Sequence, residues 1–228
     1  MSIFCIGDLH LSLSCDKPMD IFRGWDNYTE KLKNNWKKII TDKDIVVLPG
    51  DISWALKLEE TLEDFKFIDS LPGKKLIIKG NHDLWWNSLT KMNAFLQDNN
   101  INSISFIYNS AVLVGEYAIC GSRGWFFDDA THSKKIITRE AARLERSIFA
   151  AKELNAKPLV FIHYPTIWNG QVCEEILDVL KKYEIDEVWH GHIHGFHEIP
   201  QYSEEVNIKF HLTSADYLGF MPILVKKL

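Results

Sequence analysis

The chain is poor in several things, and each shortage excludes a class. Its 228 residues include four cysteines, Cys5, Cys15, Cys120 and Cys173, scattered and without a C-x-x-C pair. That spacing gives no disulfide framework and points to reduced thiols in a cytoplasmic protein. Cys5 and Cys120 lie inside apolar runs and read as small core residues. No stretch approaches the roughly 18–20 apolar residues that a membrane-spanning helix needs. The start has no basic segment, and Asp8 interrupts its apolar stretch early, so no signal peptide is expected. Ser2 and the final Val225-Lys226-Lys227-Leu228 carry no lipidation motif. Cationic excess is also missing: 26 Lys and Arg stand against 31 Asp and Glu, for a net charge of −5. Stable, sequence-independent binding to nucleic acid is therefore not expected. An anionic substrate is still permitted if bound cations reverse the sign locally. Internal repeats and low-complexity segments are absent.

What is present suffices for one α/β domain spanning 1–228, since 46% of residues are hydrophobic and 25% charged. Short apolar runs alternate with helical patterns. Ile3-Phe4-Cys5-Ile6, Ile45-Val46-Val47-Leu48, Leu76-Ile77-Ile78, Leu159-Val160-Phe161-Ile162 and Val188-Trp189 read as buried parallel strands. Helices are expected over Trp25–Ile40, Leu58–Leu71, Ser88–Leu96 with Ser88 as N-cap, Thr138–Leu154 and Val172–Tyr183. Ile104–Cys120 reads as two or three short strands turning at Asn109-Ser110 and Gly115-Glu116. Residues 121–137 read as irregular, and Val206–Leu212 and Ile223–Lys226 as closing strands. Alternation followed by a β-rich end implies two sheets packed face to face with helices outside.

Each apolar run leads into polar residues: Asp8-Leu9-His10, Gly50-Asp51, Gly80-Asn81-His82-Asp83, His163 and Gly191-His192-Ile193-His194. Ligands of open α/β sheets bind outside the carboxyl ends of the strands, so the five clusters predict one shared site. Carboxylate, imidazole and amide oxygen without thiolate suit Mn, Fe, Zn, Ni or Co rather than Ca or Mg. Asp8, His10, Asp51, Asn81, His163, His192 and His194 exceed what one transition metal takes. They suit two cations sharing a carboxylate. Gly50, Gly80 and Gly191 precede ligands directly, where a sharp turn or close backbone approach calls for glycine.

This ordered pattern, D-x-H, G-D, G-N-H-D, H and G-H-x-H, resembles the calcineurin-like metallophosphoesterase superfamily. The resemblance implies a four-layer α/β/β/α sandwich and a dinuclear metal-dependent phosphoric ester hydrolase. It implies Asp8, His10, Asp51 and His194 around a first divalent metal ion, and Asn81, His163 and His192 with the bridging Asp51 around a second. His82 is implied as the acid for the leaving oxygen or a stabiliser of phosphoryl charge, and Asp83 as the residue that orients it. In-line attack of a metal-bridging hydroxide on a phosphomonoester or phosphodiester is implied, with a small soluble substrate for which cyclic nucleotides, nucleotides and other phosphodiesters all fit. The G-D run continues Ile52-Ser53-Trp54-Ala55-Leu56 rather than with the D-R-G of protein Ser/Thr phosphatases, so that branch is disfavoured. Alternatives are a pyrophosphatase of lipid-linked or nucleotide-sugar substrates, and a non-catalytic scaffold of the same fold.

Other residues read both ways. Arg123 is equally a bidentate phosphate ligand and an ordinary surface arginine. Trp125 is the stronger candidate for an aromatic substrate rim. Trp54, Trp85, Trp86 and Trp168 fit a rim or, preferably, helix-to-sheet packing. His190 and His197 fit partners of the ligands or packing roles, and His132 and His211 packing or surface roles. Arg139, Arg143 and Arg146 with Glu140 and Glu145 read as a solvated helix face. Asp128-Asp129 lie near the expected mouth without an assignable role.

Overall fold

A computed structural model of the chain describes residues 1–125, 134–195 and 206–228. Phe126–Ser133 and Phe196–Glu205 lie outside the described residues, and with them Asp128, Asp129, His132 and His197. The strands are β1 (Ser2–Cys5), β2 (Ile45–Pro49), β3 (Lys74–Ile78), β4 (Ile104–Phe106), β5 (Ala111–Val114) and β6 (Tyr117–Ser122). They continue as β7 (Lys157–Ile162), β8 (Ile167–Trp168), β9 (Gln171–Val172), β10 (Glu187–His190), β11 (Lys209–Leu212) and β12 (Ile223–Lys227). The α-helices are α1 (Tyr28–Ile39), α2 (Leu62–Asp69), α3 (Leu89–Asp98), α4 (Lys134–Glu153) and α5 (Glu174–Lys182).

Two five-stranded sheets form, in the orders β12-β1-β2-β3-β4 and β11-β10-β7-β6-β5. β1 to β4 run parallel, with β12 antiparallel at one edge. β6, β7, β10 and β11 run parallel in the second sheet, with β5 antiparallel. Side chains alternate across each strand, and that alternation builds three layers of core. Ile3, Cys5, Val47, Leu76 and Ile78 meet Ile119, Leu159, Phe161 and Trp189 between the sheets. Phe4, Ile6, Val46, Leu48 and Ile77 face outward onto Leu32 and Trp36 of α1, Phe65 and Ile68 of α2 and Met92 of α3. Cys120, Val160, Ile162 and Val188 face outward onto Leu144 and Ile148 of α4 and Ile176 and Leu180 of α5. The expected α/β architecture, two mixed sheets flanked by helices, is what forms.

Several boundaries differ from the sequence reading for local reasons. Gly24 (φ 91°) and Asn27 (φ 51°) hold left-handed backbone, so α1 opens at Tyr28 rather than Trp25. Glu60 accepts from the Leu56 and Lys57 amides at 3.0 and 3.1 Å, closing a separate 3-10 turn at Leu58–Thr61 ahead of α2. Ser88 is the N-cap of α3, as expected, its hydroxyl accepting from the Lys91 amide. Thr138 does not open α4: its hydroxyl donates to Lys134 O, four residues back, inside a helix that starts at Lys134. Before α5, Asn169 (φ 48°) and Gly170 (φ 75°) turn the β8–β9 hairpin, so α5 begins at Glu174 rather than Val172. Asn-Gly is the strongest short hairpin signal, and it was readable in the sequence. β6 runs on to Ser122, so the irregular stretch starts later than residue 121, and β11 begins at Lys209 rather than Val206.

Candidate metal centre

Every predicted cluster sits just beyond the C-terminal end of a parallel strand: Asp8 and His10 after β1, Asp51 after β2, Asn81 and His82 after β3, His163 after β7, His192 and His194 after β10. The first sheet supplies the carboxylates, the amide and His10, and the second sheet the remaining imidazoles. Asp8 (φ 56°), His10 (φ 45°), Asp51 (φ 52°) and His192 (φ 74°) all adopt left-handed backbone. Non-glycine residues reach that region at a cost on the order of 1–3 kcal/mol each and concentrate at functional sites. A β-carbon on Gly80 would overlap Asp51 Oδ1, and one on Gly191 would overlap Asp8 Oδ2. These two glycines let the backbone close over the carboxylates, as their positions in the sequence suggest.

Two donor groups result. Asp8, His10 and His194 offer atoms within 4.8 Å of one another, as do Asp51, His163 and His192. Asp51 Oδ2 lies 3.8 Å from His10 Nε2 and 3.5 Å from His163 Nε2, so one carboxylate oxygen faces both groups. Asn81 Oδ1 completes the second group, 2.6 Å from His163 Nε2 and 3.1 Å from His192 Nδ1. The ligand set expected from the sequence is therefore brought together.

Partner chemistry fixes which ring nitrogens face inward. His163 Nδ1 lies 3.1 Å from the Pro49 carbonyl, which only accepts; Nδ1 carries the proton and Nε2 turns its lone pair to Asp51 and Asn81. His194 Nδ1 lies 3.0 Å from Asp216 Oδ1, leaving Nε2 directed at His10 Nε2, 3.0 Å away. Asp216 also accepts from the Gly195 amide at 2.8 Å. This carboxylate–imidazole pair is the usual support of a metal-binding histidine. The sequence reading missed Asp216, which lies beyond β11 with no motif around it.

The electrostatics favour cations. Asp8 and Asp51 are 0% and 1% exposed. Burial pushes the Asp8 carboxyl up to about 6, although His194, His192 and Ser214 oppose the shift. Burial, then the Asp83 and Asp8 charges, push Asp51 well above the ordinary carboxylate range. Burial drives His10 and His163 well below their ordinary range, so both offer neutral nitrogen. His194 moves the other way: burial disfavours its charge, but Asp216 and Asp8 outweigh that and raise its pKa. Buried carboxylates, inward lone pairs and backbone cradles at two adjoining points fit a pair of divalent ions by donor chemistry.

His82 stands half-buried at the open side, its ring 4.4 Å from Trp54 and 5.7 Å from His10, while its amide donates to Asp51 Oδ1 at 2.8 Å. Asp83, expected to orient His82, binds the main chain of two loops. It is 0% exposed. One oxygen accepts from Ile52 N (2.8 Å) and Trp85 Nε1 (3.1 Å), the other from Asp51 N (3.0 Å) and Gly80 N (2.7 Å). Asp83 thus ties the Asp51 and Asn81 loops together through their main chains.

Two other expectations are corrected. Arg123 is held by Glu140 (3.2 Å), and Trp125 packs in the core beneath α4 and does not line the cavity beside His82. Trp125 touches Tyr164, whose ring sits 4.4 Å from His192. Glu140 is not solvated: it is 0% exposed and also binds Arg143 at 2.7 Å. Trp85 is fully buried against Phe65, as the packing reading had it. The rim is formed instead by Trp54, stacked on His10 at 4.7 Å, and by Trp25.

The family model for calcineurin-like phosphoesterases matches residues 1–196. The chain belongs to this family. Among solved structures, the calcineurin-like fold here is similar to a protein of unknown function from Aquifex aeolicus, at 16% identity and a TM-score of 0.52, covering 98% of this chain and 95% of that one. It is similar to a Thermus thermophilus protein at 14% identity and a TM-score of 0.56, covering 98% and 87%. A phosphopantetheinyl hydrolase from Mycobacterium tuberculosis matches at 13% identity and a TM-score of 0.52, covering 98% and 95%. These likenesses are of fold. An uncharacterised Methanocaldococcus jannaschii protein is 29% identical over 86 residues, 36% of this chain and 46% of that relative. The chain thus spans about half the length of the curated relative it matches. No helix among the described residues is long and apolar enough to cross a membrane.

Proposed function

We propose that this calcineurin-like phosphoesterase hydrolyses a small phosphate ester at a pair of divalent transition-metal ions. The observation that carries the reading is Asp51, whose single oxygen faces both donor groups while Asn81 bridges His163 and His192. Asp8, His10, Asp51 and His194 would hold one ion, and Asp51, Asn81, His163 and His192 the other. When bound, such ions offset charge on phosphoryl oxygens and lower the pKa of water at neutral pH.

The chain's own residues do the rest. Asp83 fixes the loops that carry Asp51 and Asn81. Asp216 keeps His194 Nε2 turned inward. His82, on the open side, gives a proton to the leaving oxygen from its ring nitrogen. Trp25 and Trp54 wall that side. A non-catalytic scaffold is the weaker reading, because the donor groups and His82 are all retained. Three buried, unpaired cysteines, Cys5, Cys120 and Cys173, fit a cytoplasmic location.

Metal analysis coupled to hydrolysis of bis-p-nitrophenyl phosphate and p-nitrophenyl phosphate, after reconstitution with Mn, tests the proposal. Tight binding of two equivalents of metal with turnover is expected. A protein that takes up no metal and turns over neither ester sinks it.

A further inference from the structure

The donor groups act on a phosphate; the cavity beside them speaks to what that phosphate carries. A cavity of about 510 Å³ opens on the side where His10, His82 and His194 are presented. That volume is far more than a phosphoryl group needs, and falls in the range that holds a whole organic ligand. Beside the three histidines, its walls are mostly apolar: Met19, Phe22 and Trp25 come from the segment between β1 and α1, and Trp54 from the loop after Asp51, while Arg23 and Asp216 add one charge of each sign. The segment is built into place. Leu11 bridges to Ser53, the Leu13 amide donates to Asp64 at 2.8 Å, and Trp54 Nε1 donates to Met19 Sδ at 3.1 Å. The Trp54 ring already packs against His10 at 4.7 Å and His82 at 4.4 Å and carries Lys17 Nζ 4.1 Å from its centre. Trp25 is covered by Tyr28 and Phe220. The cavity is therefore an apolar slot rather than a stacking platform. Phe22, which lines the cavity, is 51% exposed. A large apolar side chain left exposed on such a cavity offers surface for a ligand to cover.

We propose, resting on the phosphoesterase reading, that the substrate carries a bulky apolar group on the scissile phosphate. That group occupies the slot between Phe22, Met19, Trp25 and Trp54 as the phosphate meets the donor groups. The segment between β1 and α1 is thus the specificity element.

The test is competition by n-alkylphosphonates, methyl to hexyl, against p-nitrophenyl phosphate on the Mn-reconstituted enzyme, with calorimetric Kd values alongside. Each methylene buried in the slot should tighten binding about two- to fourfold. In Phe22→Ala that gradient should flatten. In Leu113→Ala, which alters an exposed apolar residue on β5, it should persist. Ki and Kd values independent of chain length in the wild type overturn the proposal without any variant. A Phe22→Ala gradient as steep as the wild type's overturns the placement. If the Mn-loaded protein hydrolyses no ester at all, the phosphoesterase reading fails instead. Hydrolysis of hexyl phosphate in solution against phosphatidic acid in mixed micelles then tells a soluble amphiphile from a lipid, and either one turned over faster than methyl phosphate supports the slot.

Discussion

Asp216 shows how one residue outside every motif controls a ligand. Its carboxylate holds His194 Nδ1 at 3.0 Å and the Gly195 amide at 2.8 Å, which fixes the ring that faces His10. Removing such a partner typically costs 10–100-fold in metal affinity or activity. Asp216→Ala should therefore weaken Mn binding by about that factor in calorimetry, with Asp216→Asn intermediate because the amide oxygen still accepts. Equal affinity in both variants and the wild type would leave Asp216 a mere surface neighbour. His82 belongs at the same scale. His82→Asn should slow kcat by about 10²–10⁴ on an alkyl phosphate, whose leaving oxygen needs a proton, and far less on a p-nitrophenyl ester. An equal loss on both esters would deny it the acid role. The position of His82 and of the two donor groups was legible because their motifs sit at strand ends. Asp216 was not, because its link to His194 exists only once β10 and β11 lie side by side.

Two elements carry buried charge with opposite consequences. On α4, Glu140 is 0% exposed and gathers Arg123 and Arg143, which pins the helix to the end of β6. Removing one member of a buried pair strands the rest and costs about 3–5 kcal/mol; the arginines here are partly solvated, so Glu140→Ala should cost nearer 2–3 kcal/mol in urea unfolding. A loss under 0.5 kcal/mol would restore the solvated-face reading. That reading failed because the i, i+3 charge pattern is the same whether a helix's acid faces water or its neighbours. At the start of β3, Lys75 is 0% exposed, its ammonium donating to Leu71 O and Ser103 Oγ. Burial lowers its pKa from 10.5 to about 8, although Asp69 and Asp42 oppose the shift. Between those values the unfolded chain holds the proton more tightly than the folded one, so stability rises with pH from about 8 to 10.5. Its upper size is about 3 kcal/mol. Burial raises the thiols of Cys5, Cys120 and Cys173 and so lowers stability above pH 9, so the test is the difference: between pH 7.5 and 10 the wild type should gain more, or lose less, unfolding free energy than Lys75→Met. Equal slopes in the two proteins would remove Lys75 as its source.

At the scale of the molecule, the two sheets meet twice: through the apolar layer between them and through the donor groups. The apolar layer was legible, because period-2 alternation on both sides of each strand demands two covering layers. The slot was not, because the segment before α1 has no periodicity and its walls assemble from separate loops. The donor groups make a further demand on the fold. Asp8, Asp51 and Asn81 hang from the first sheet, and His163, His192 and His194 from the second, so each ion would bind residues of both sheets. Such an ion binds the folded chain and not the unfolded one, and stabilises it by about 2.7 kcal/mol at a hundredfold excess over Kd. For a domain of this size, each kcal/mol is worth about 2–4 °C, so Mn should raise Tm by roughly 5–10 °C and EDTA should reverse it. Part of that gain reflects the relief of packing buried Asp8 and Asp51 together, which favours a cation in that space. Replacing a ligand from one sheet, as in His163→Ala, should remove much of the Mn shift while leaving the interface between the sheets to the apolar layer. A Tm that ignores Mn, Fe and Zn alike would mean that the two sheets are joined by hydrophobic contact alone.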